Sequence, residues 1–575
     1  MASNARIAAD LAKIADLLEL TDANPFRVRA YRNAARTVQD APRPLAERVR
    51  AGEDLRSLPG IGKEIAAQIV RKVGGGAMEP LEELAGEVPP GLLEVVRVPG
   101  VGPKRARVLW RELGVDGLDA LEAAAEGGRI EGLKGFGAKT QQAILAGVAS
   151  VRRFAERVRR ADAGRTVAPL VAWLEADEAV RRLEIAGSFR RGRDTVGDLD
   201  LLVDTDDHER TMARFRAYDD VDQVLGSGSE KTSLTLSDGL QVDLRAVPAE
   251  SFGAALQYFT GSQAHNVRLR KRAQERDLRL NEYGLWRPSD ETRVAGADEA
   301  ELYRALGLPW IPPELREDRG EIEAAEADAL PRLLERGDLV ADLHVHSDWS
   351  DGTADLRTMM RAAREHGLSV LGFADHGPAL RMTGGLDRAK LLRQHEALAE
   401  LSDAVPGLTV LRGLEVDVHA DGGLDLDDEA LALLDVVTVS VHGAFDLSEA
   451  KQTERLVRAV SHPLVHVLAH PTGRLIGRRE GIRVDLHAVI EAAAAHGVAL
   501  EINANPARLD LDERWARTAL EAGVPLSVAS DAHGPEGFAV LEHGVLQARR
   551  AWATKDRVIN AWPLERLRSF LAKEP

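Results

Sequence analysis

After Asp338, seven strand-like apolar runs recur about every 25 to 40 residues: LVADLHVH, SVLGFADH, TVLRGLEVD, VVTVSVH, LVHVLAH, VALEINAN and PLSVASDAH. Helix-patterned segments lie between them, and strands alternating with helices at this spacing predict a βα-repeat barrel. Six of the seven runs end in His, Asp or Glu. Barrels of this kind keep their chemistry at the C-terminal ends of the strands, so the placement is more informative than any single histidine. Of the 16 histidines, only His208 and His265 precede residue 337. The chain has no cysteine, which excludes disulfides, thiolate metal sites and cysteine nucleophiles and leaves His, Asp and Glu to bind metal.

His344-x-His346 closes the first run, and Asp351 follows five residues later. On a strand the two imidazoles share a face, as a chelate requires. His376 ends the second run, Glu415 lies in the third, His442 and His470 end the fourth and fifth, and Asp531-x-His533 ends the seventh. Nine N/O donors exceed the needs of one ion. They fit two or three, Zn²⁺, Mn²⁺ or Fe, with Glu415 as a bridge. Such a cluster activates a water and clamps the phosphate it attacks, so phosphodiester or phosphomonoester hydrolysis is expected. His395, His419, His462, His466 and His487 are read as surface residues or supports behind the donors. Arg474 and Lys451 are read as solvated side chains in preference to DNA phosphate contacts.

The middle of the chain carries Gly187-Ser188-Phe189-Arg190-Arg191-Gly192 and then Gly197-Asp198-Leu199-Asp200. Residues two apart on a strand share a face, so Asp198 and Asp200 point to one side, and Asp243 in LQVDLRAV is expected as a third ligand from a neighbouring strand. Hard oxygen donors suit Mg²⁺ or Mn²⁺, and a pair of such ions stabilises an in-line phosphoryl displacement. Gly187, Ser188, Arg191 and Gly197 are expected to cradle a triphosphate. A bare Asp-x-Asp is usually a solvated strand edge; Gly-Ser at this spacing makes it specific.

The first 150 residues read as short helices interrupted by LPGIGKEIA (Leu58 to Ala66), VPGVGPKRA (Val98 to Ala106) and LKGFGAKTQ (Leu133 to Gln141). A Gly-x-Gly turn opening a helix presents backbone N–H groups that grip a phosphate without reading sequence. Gly60, Gly62, Lys63, Gly100, Gly102, Lys104, Gly135, Gly137 and Lys139 are therefore expected to contact DNA, with Arg105 adding charge. The overall charge of −17 conceals this end, since residues 1–160 hold 26 basic against 21 acidic side chains, a net of +5. Residues 161–320 (22 against 30) and 321–575 (27 against 41) are acidic. The apolar runs fall short of the roughly 20 residues of a membrane span. The start MASNARIAADLAK lacks the order of a signal peptide. A cytoplasmic protein without membrane contact is expected.

The Gly-Ser to Asp-x-Asp segment resembles the nucleotidyltransferase motif of family X DNA polymerases, the group that includes polymerase β. Tyr258-Phe259-Thr260-Gly261-Ser262, His265-Asn266, Arg270 and Asn281-Glu282-Tyr283 resemble its nucleotide-selecting segment. The resemblance implies that Tyr258, Phe259 and Gly261 pack against the sugar and limit a 2′-OH. It also implies that Asn266 approaches the base edge and Arg270 the template strand. The three Gly turns resemble helix-hairpin-helix motifs. Gln68 stands where lyase-active members carry a Schiff-base lysine, and Glu64 replaces another lysine, so 5′-deoxyribose-phosphate lyase activity is expected to be weak or absent unless Lys63 or Lys72 substitutes. Gln241 stands where polymerase β has an arginine.

Residues 339–575 resemble a PHP (polymerase and histidinol phosphatase) domain with its ligand set complete. By that resemblance His344, His346, Glu415 and Asp531 share one ion, Asp351, His376 and His533 a second, and Glu415, His442 and His470 a third. The expected fold is multi-domain α/β. It comprises a helical lyase-like domain (1–80), a helix-hairpin-helix domain (81–155), a nucleotidyltransferase palm with a mixed sheet (156–250) and a nucleotide-selecting domain (251–318). A linker (319–338) and a distorted (βα)7 PHP barrel (339–575) complete it. The implied activity is a monomeric DNA-directed DNA polymerase that fills short gaps in base excision or end repair, using dNTPs on gapped or nicked DNA with a 5′-phosphate. The PHP domain adds a 3′-5′ exonuclease or abasic-site cleavage; alternatively it is a scaffold or acts on small phosphomonoesters.

Overall fold

The computed structural model describes residues 4–572, apart from positions 22, 40, 42–44, 97, 99, 156 and 402. At the N-terminus, α1 (Asn4–Leu20) and α2 (Pro25–Gln39) pack on α3 (Lys63–Val73). Ile7, Leu11, Ile14 and Leu18 recur at four- and three-residue spacing and bury one face of α1 against Tyr31, Ile65 and Ile69. Leu17 and Leu20, on its other face, enter a second core with Leu92, Leu109, Leu121, Ile144 and Val148. One helix thus serves both cores, which the proposed break at residue 80 does not suggest. Gln68 is buried, and its side-chain oxygen accepts from the Glu79 N–H at the start of α4 (Glu79–Glu87). The second hairpin region continues with α5 (Pro103–Leu113) and α6 (Ala138–Ala155).

The central sheet comprises β1 (Val180–Ile185), β2 (Asp198–Thr205), β3 (Val221–Ser227), β4 (Lys231–Leu236) and β5 (Gln241–Ala246), in the order β1-β2-β5-β4-β3. It is mixed: only β2 and β5 run parallel. The short helix α7 (Gly187–Arg190) links β1 to β2. Helices α8 (Phe252–Thr260) and α9 (Gln263–Gln274) follow, then a three-stranded antiparallel sheet of residues 279–295. The segment expected as a linker is packed, because α10 (Glu321–Glu326) buries Ile322 and Ala325 in the core of residues 254–333. The Glu321 carboxylate lies 2.6 Å from His265 Nδ1 and accepts from the N–H groups of Asp318 and Arg319. These partners hold down the segment expected as a linker.

In the C-terminal unit β6 (Ala341–Val345), β7 (Val370–Phe373) and β8 (Thr409–Leu411) form one parallel sheet. β9 (Gly413–Asp417), β10 (Val436–Ser440), β11 (Val467–Leu468), β12 (Ala499–Asn503) and β13 (Leu526–Ala529) form another. The expected third run is therefore two strands, divided at Arg412. Gly413 permits the crossing: a Cβ there would lie 2.5 Å from the Phe373 carbonyl oxygen. Among the described residues no continuous ladder closes the strands into a barrel. Single parallel bridges, Val345 to Ala532 and His376 to Glu415, join the two sheets. The unit's helices include α11 (Glu513–Glu521), α12 (Leu541–Arg550) and α13 (Leu564–Leu571). No helix among the described residues is long and apolar enough to cross a membrane.

Candidate active sites

Parallel pairing of β2 with β5 sets Asp200 directly beside Asp243 and Asp198 beside Gln241. Gly187, at φ +63°, brings its backbone so close that a Cβ would lie 3.0 Å from Asp200 Oδ2, which favours glycine there. Burial, and next the charge of Asp198, pushes the Asp200 carboxyl up to about 6. Lys231 Nζ lies 2.6 Å from Asp243 Oδ2, and Gln241 donates to Asp243 Oδ1 at 3.1 Å. Burial raises Asp243, but hydrogen bonds from Lys231, Gln241 and Ser233 outweigh it and hold the carboxyl below its ordinary value. Arg245 Nε is 3.8 Å from Asp200 Oδ1, and its guanidinium lies 4.3 Å over the Phe259 ring. Lys231 and Arg245 escaped the sequence reading, although both sit on strands at the face of the acidic residues. Among the described residues the three carboxylates are not drawn into a tight ion-holding group, because Lys231 and Arg245 engage Asp243 and Asp200, but as hard oxygen donors on neighbouring strands they suit a divalent cation.

Around this triad the structure gathers several of the expected nucleotide contacts. Arg191 Nε donates to Glu317 Oε1 at 3.1 Å, and its Nη1 donates to the Thr260 carbonyl. A Cβ on Gly261 would lie 3.2 Å from that Nη1. Ser188 lies in α7, Gly197 immediately precedes Asp198, and Tyr258 meets Phe259 edge-on with centroids 5.1 Å apart. Asn266 differs from expectation. It is buried, donates to the Tyr258 carbonyl and accepts from Gln257, each at 2.7 Å, so its amide holds the aromatic pair and does not face outward. Arg270 is exposed.

The three hairpins share one backbone. Gly60, Gly100 and Gly135 all have positive φ (74°, 82° and 89°). In each, the residue after that glycine donates to a carbonyl three residues back: Ile61 to Leu58, Val101 to Val98, Phe136 to Leu133. Gly62 and Gly102 open α3 and α5, and Gly137 directly precedes α6. Lys63, Lys104 and Lys139 are exposed beside them. Arg105 is instead engaged, donating to the Gly100 carbonyl at 2.7 Å. Lys72 is paired with Asp10 at 2.6 Å.

All nine expected donors of the C-terminal unit converge. Glu415 Oε1 lies 2.9 Å from His470 Nε2 and 3.3 Å from His442 Nε2. Glu415 Oε2 lies 2.9 Å from His376 Nδ1 and 3.4 Å from His344 Nε2. The tightest groups are His346, Asp351, His376 and His533; His344, Glu415 and His470; His344, His346 and Asp531; and His376, Glu415 and His442. This partition departs from the expected one, because His346 also joins the Asp351 group and His376 faces both Asp351 and Glu415.

The electrostatics of the cluster call for cations. Burial lowers His344, yet Glu501, Glu415 and Asp531 outweigh it and raise the imidazole well above its ordinary value. Burial and the neighbouring His533 push His346 down to about 3. His344 Nε2, both ring nitrogens of His346 and His376 Nδ1 are buried and, although carboxylate oxygens lie close, make no well-aligned hydrogen bond. Buried polar atoms in that state are rare, and metal coordination satisfies them. His470 and Asp531 adopt left-handed backbone, φ +27° and +56°, which marks a constrained site.

Sequence reading missed the residues behind these donors. Glu501 Oε2 lies 2.8 Å from His344 Nδ1, orienting the ring as carboxylates commonly do behind metal-binding histidines. It sits inside VALEINAN, the one run that ends without a donor. Asp375 accepts from Ser347 N–H, Ser347 Oγ, Ser350 Oγ and Gln394, and so orders the loop before Asp351. His466 is neither a surface residue nor a support of the cluster: it accepts from Val437 N–H, and its other nitrogen lies 2.9 Å from the Leu571 carbonyl. Arg474 is not solvated, since it reaches Asp194 of the central unit at 2.7 Å. Lys451 is exposed.

Comparison with known proteins finds four family models along the chain. Residues 2–78 match a helix-hairpin-helix domain, 92–149 a SAM-like helix-hairpin-helix tandem, 255–317 the DNA polymerase beta thumb and 342–505 the PHP domain. A Bacillus subtilis relative named DNA polymerase/3′-5′ exonuclease PolX is 37% identical over 565 residues, covering 98% of each chain. Rat DNA polymerase lambda is 25% identical over 321 residues, covering 51% of this chain and 52% of its own. A Thermoanaerobacter protein described as a probable phosphatase is 30% identical over 234 residues, covering 39% of this chain and 90% of its own.

Proposed function

The chain belongs to the family X DNA polymerases that carry a C-terminal PHP domain, and on that premise we propose that it is a DNA-directed DNA polymerase and 3′-5′ exonuclease whose two reactions occur at separate centres. The observation that carries this reading is the presence of two donor sets of different chemistry, Asp198, Asp200 and Asp243 on the central sheet and the nine-donor His/Asp/Glu cluster beyond it. Asp198, Asp200 and Asp243 hold Mg²⁺ or Mn²⁺. His344, His346, Asp351, His376, Glu415, His442, His470, Asp531 and His533 hold two or three ions, Zn²⁺, Mn²⁺ or Fe. Bound ions supply stabilisation of the attacking and leaving oxygens at the first centre and an activated water and Lewis acidity at the second.

The remaining work falls to the chain's own groups. Arg191, fixed through Nε and Nη1, keeps Nη2 for the triphosphate of a dNTP. Tyr258 and Phe259, backed by Arg245, form the wall against the sugar and disfavour a 2′-OH. Gly187, Ser188 and Gly197 allow the backbone to approach the phosphates, Arg270 faces the template, and Asn266 acts from behind by holding the Tyr258 main chain. The exposed hairpins at Gly60, Gly62, Lys63, Gly100, Gly102, Lys104, Gly135, Gly137 and Lys139 grip the backbone of gapped or nicked DNA bearing a 5′-phosphate without reading its sequence. The protein acts as a cytoplasmic monomer in short-gap repair. Gln68, buried as a cap, supplies no imine nucleophile.

The test is separation of activities. Asp198→Ala with Asp200→Ala is expected to abolish gap filling and leave degradation of a DNA 3′ end with Mn²⁺ intact, while His344→Ala with His346→Ala does the reverse. Loss of both activities in either variant overturns the two-centre reading.

A further inference from the structure

The segment Arg191–Asp194, which follows α7 in the central unit, is held from outside that unit. Arg550, at the end of α12 in the C-terminal unit, has a side chain only 1% exposed. Its Nη1 donates to the Arg191 carbonyl at 2.6 Å and to Glu317 Oε1 at 3.2 Å, and its Nη2 donates to Glu513 Oε1 at 3.0 Å. Glu317 Oε1 is the same oxygen that accepts from Arg191 Nε. Asp194 Oδ2 accepts from Arg474 Nη2 at 2.7 Å, and Gly192 abuts Leu546. Buried, charge-assisted bonds of this kind fix geometry, because each partner removed leaves another charge unpaired.

We propose that Arg550 is a positioning residue for the polymerase reaction: it fixes the main chain of Arg191 directly and the direction of its guanidinium through Glu317, so that the C-terminal unit sets the affinity for the incoming nucleotide. A guanidinium anchored through Nε and Nη1 presents Nη2 along one direction. Without Arg550, Glu317 has one cation fewer to place it, and the carboxylate can shift and carry the Arg191 guanidinium bonded to it out of line. The effect falls on nucleotide binding and leaves the triad carboxylates, which sit on β2 and β5, in place. The inference rests on the assignment of Arg191 to the triphosphate.

The experiment compares wild type, Arg191→Ala, Arg550→Met, Arg550→Lys and the Arg191→Ala/Arg550→Met double variant, all as the full chain. Steady-state dNTP KM and kcat are measured on a short-gap DNA, with degradation of a single-stranded DNA 3′ end as the second readout. Arg550→Met is expected to raise the dNTP KM at least fivefold with kcat and 3′-end degradation within twofold of wild type, and Arg550→Lys to recover part of the loss. In the Arg191→Ala background Arg550→Met should add nothing, since the two act through one contact. Additive effects on KM, an unchanged KM in Arg550→Met, or parallel loss of both activities overturns the proposal. An unchanged KM in Arg191→Ala overturns the triphosphate assignment itself.

Discussion

Gly192→Ala tests the junction between the central and C-terminal units most directly. Gly192 has φ +72°, and its Cβ would stand 2.7 Å from both Cγ and Cδ1 of Leu546. Left-handed backbone costs a non-glycine residue roughly 1 kcal/mol. Ordinary carbon contacts lie near 3.5 to 4 Å, so the new methyl intrudes by about 1 Å, and overpacking of this kind costs roughly 1 to 3 kcal/mol. Leu546 is half-buried and can rotate, which places the expected total near the low end, roughly 2 to 3 kcal/mol. Denaturant unfolding of wild type, Gly192→Ala, Leu546→Ala and the double variant separates the two terms. Leu546→Ala should rescue the steric part and leave the roughly 1 kcal/mol of backbone strain. Stability of Gly192→Ala within about 0.5 kcal/mol of wild type, or strictly additive costs, would refute the close approach.

Glu501→Gln weakens the support of His344 and is expected to lower 3′-5′ exonuclease activity or metal affinity roughly 10- to 100-fold, with gap filling unchanged; equal loss of both activities would argue against it. Burial raises Glu513, but Arg550 and then Arg319 hold it down to about 2. A depressed carboxyl contributes stability above its unfolded value near 4.5 and loses it as pH falls toward 2, an integral of roughly 3 kcal/mol. The stability difference between wild type and Glu513→Gln should therefore be full at pH 6 and narrow below pH 4.5; a gap that stays constant with pH contradicts the pairing. Borohydride trapping on a 5′-deoxyribose-phosphate end should give little covalent adduct, because Gln68 caps a helix and Lys72 is paired with Asp10. An adduct lost in Lys72→Ala would show that Lys72 substitutes.

The donors at strand ends were legible because His, Asp or Glu terminating an apolar run is unusual and its place in a βα repeat has a fixed meaning. All nine converge as their positions suggested. Which donors cluster was not legible, because His376 turns one nitrogen to Glu415 and the other to Asp351, a matter of ring orientation. Glu501 was hidden inside an apolar run, where a lone carboxylate carries no periodic signal. Arg474 looked solvated because its partner, Asp194, lies 280 residues away in another unit. The charged stretch around Glu321 looked like a tether for the same reason, its partner His265 being remote in sequence. The division of the third apolar run hinged on one glycine, Gly413, whose close crossing with Phe373 no pattern of hydrophobicity records.

The two single-residue bridges between the C-terminal sheets have a mechanical consequence. Val345 is flanked by His344 and His346, Ala532 by Asp531 and His533, and the other bridge is made by His376 and Glu415 themselves. The ring of strands is thus joined by single-residue bridges where its donors are densest, like a hoop closed by two clasps. A cation held by donors from both sides of a clasp would reinforce the joint there. Withdrawing the ions should therefore spring the rim and speed amide exchange around residues 344–346, 415 and 531–533 while the floor of the ring stays shut.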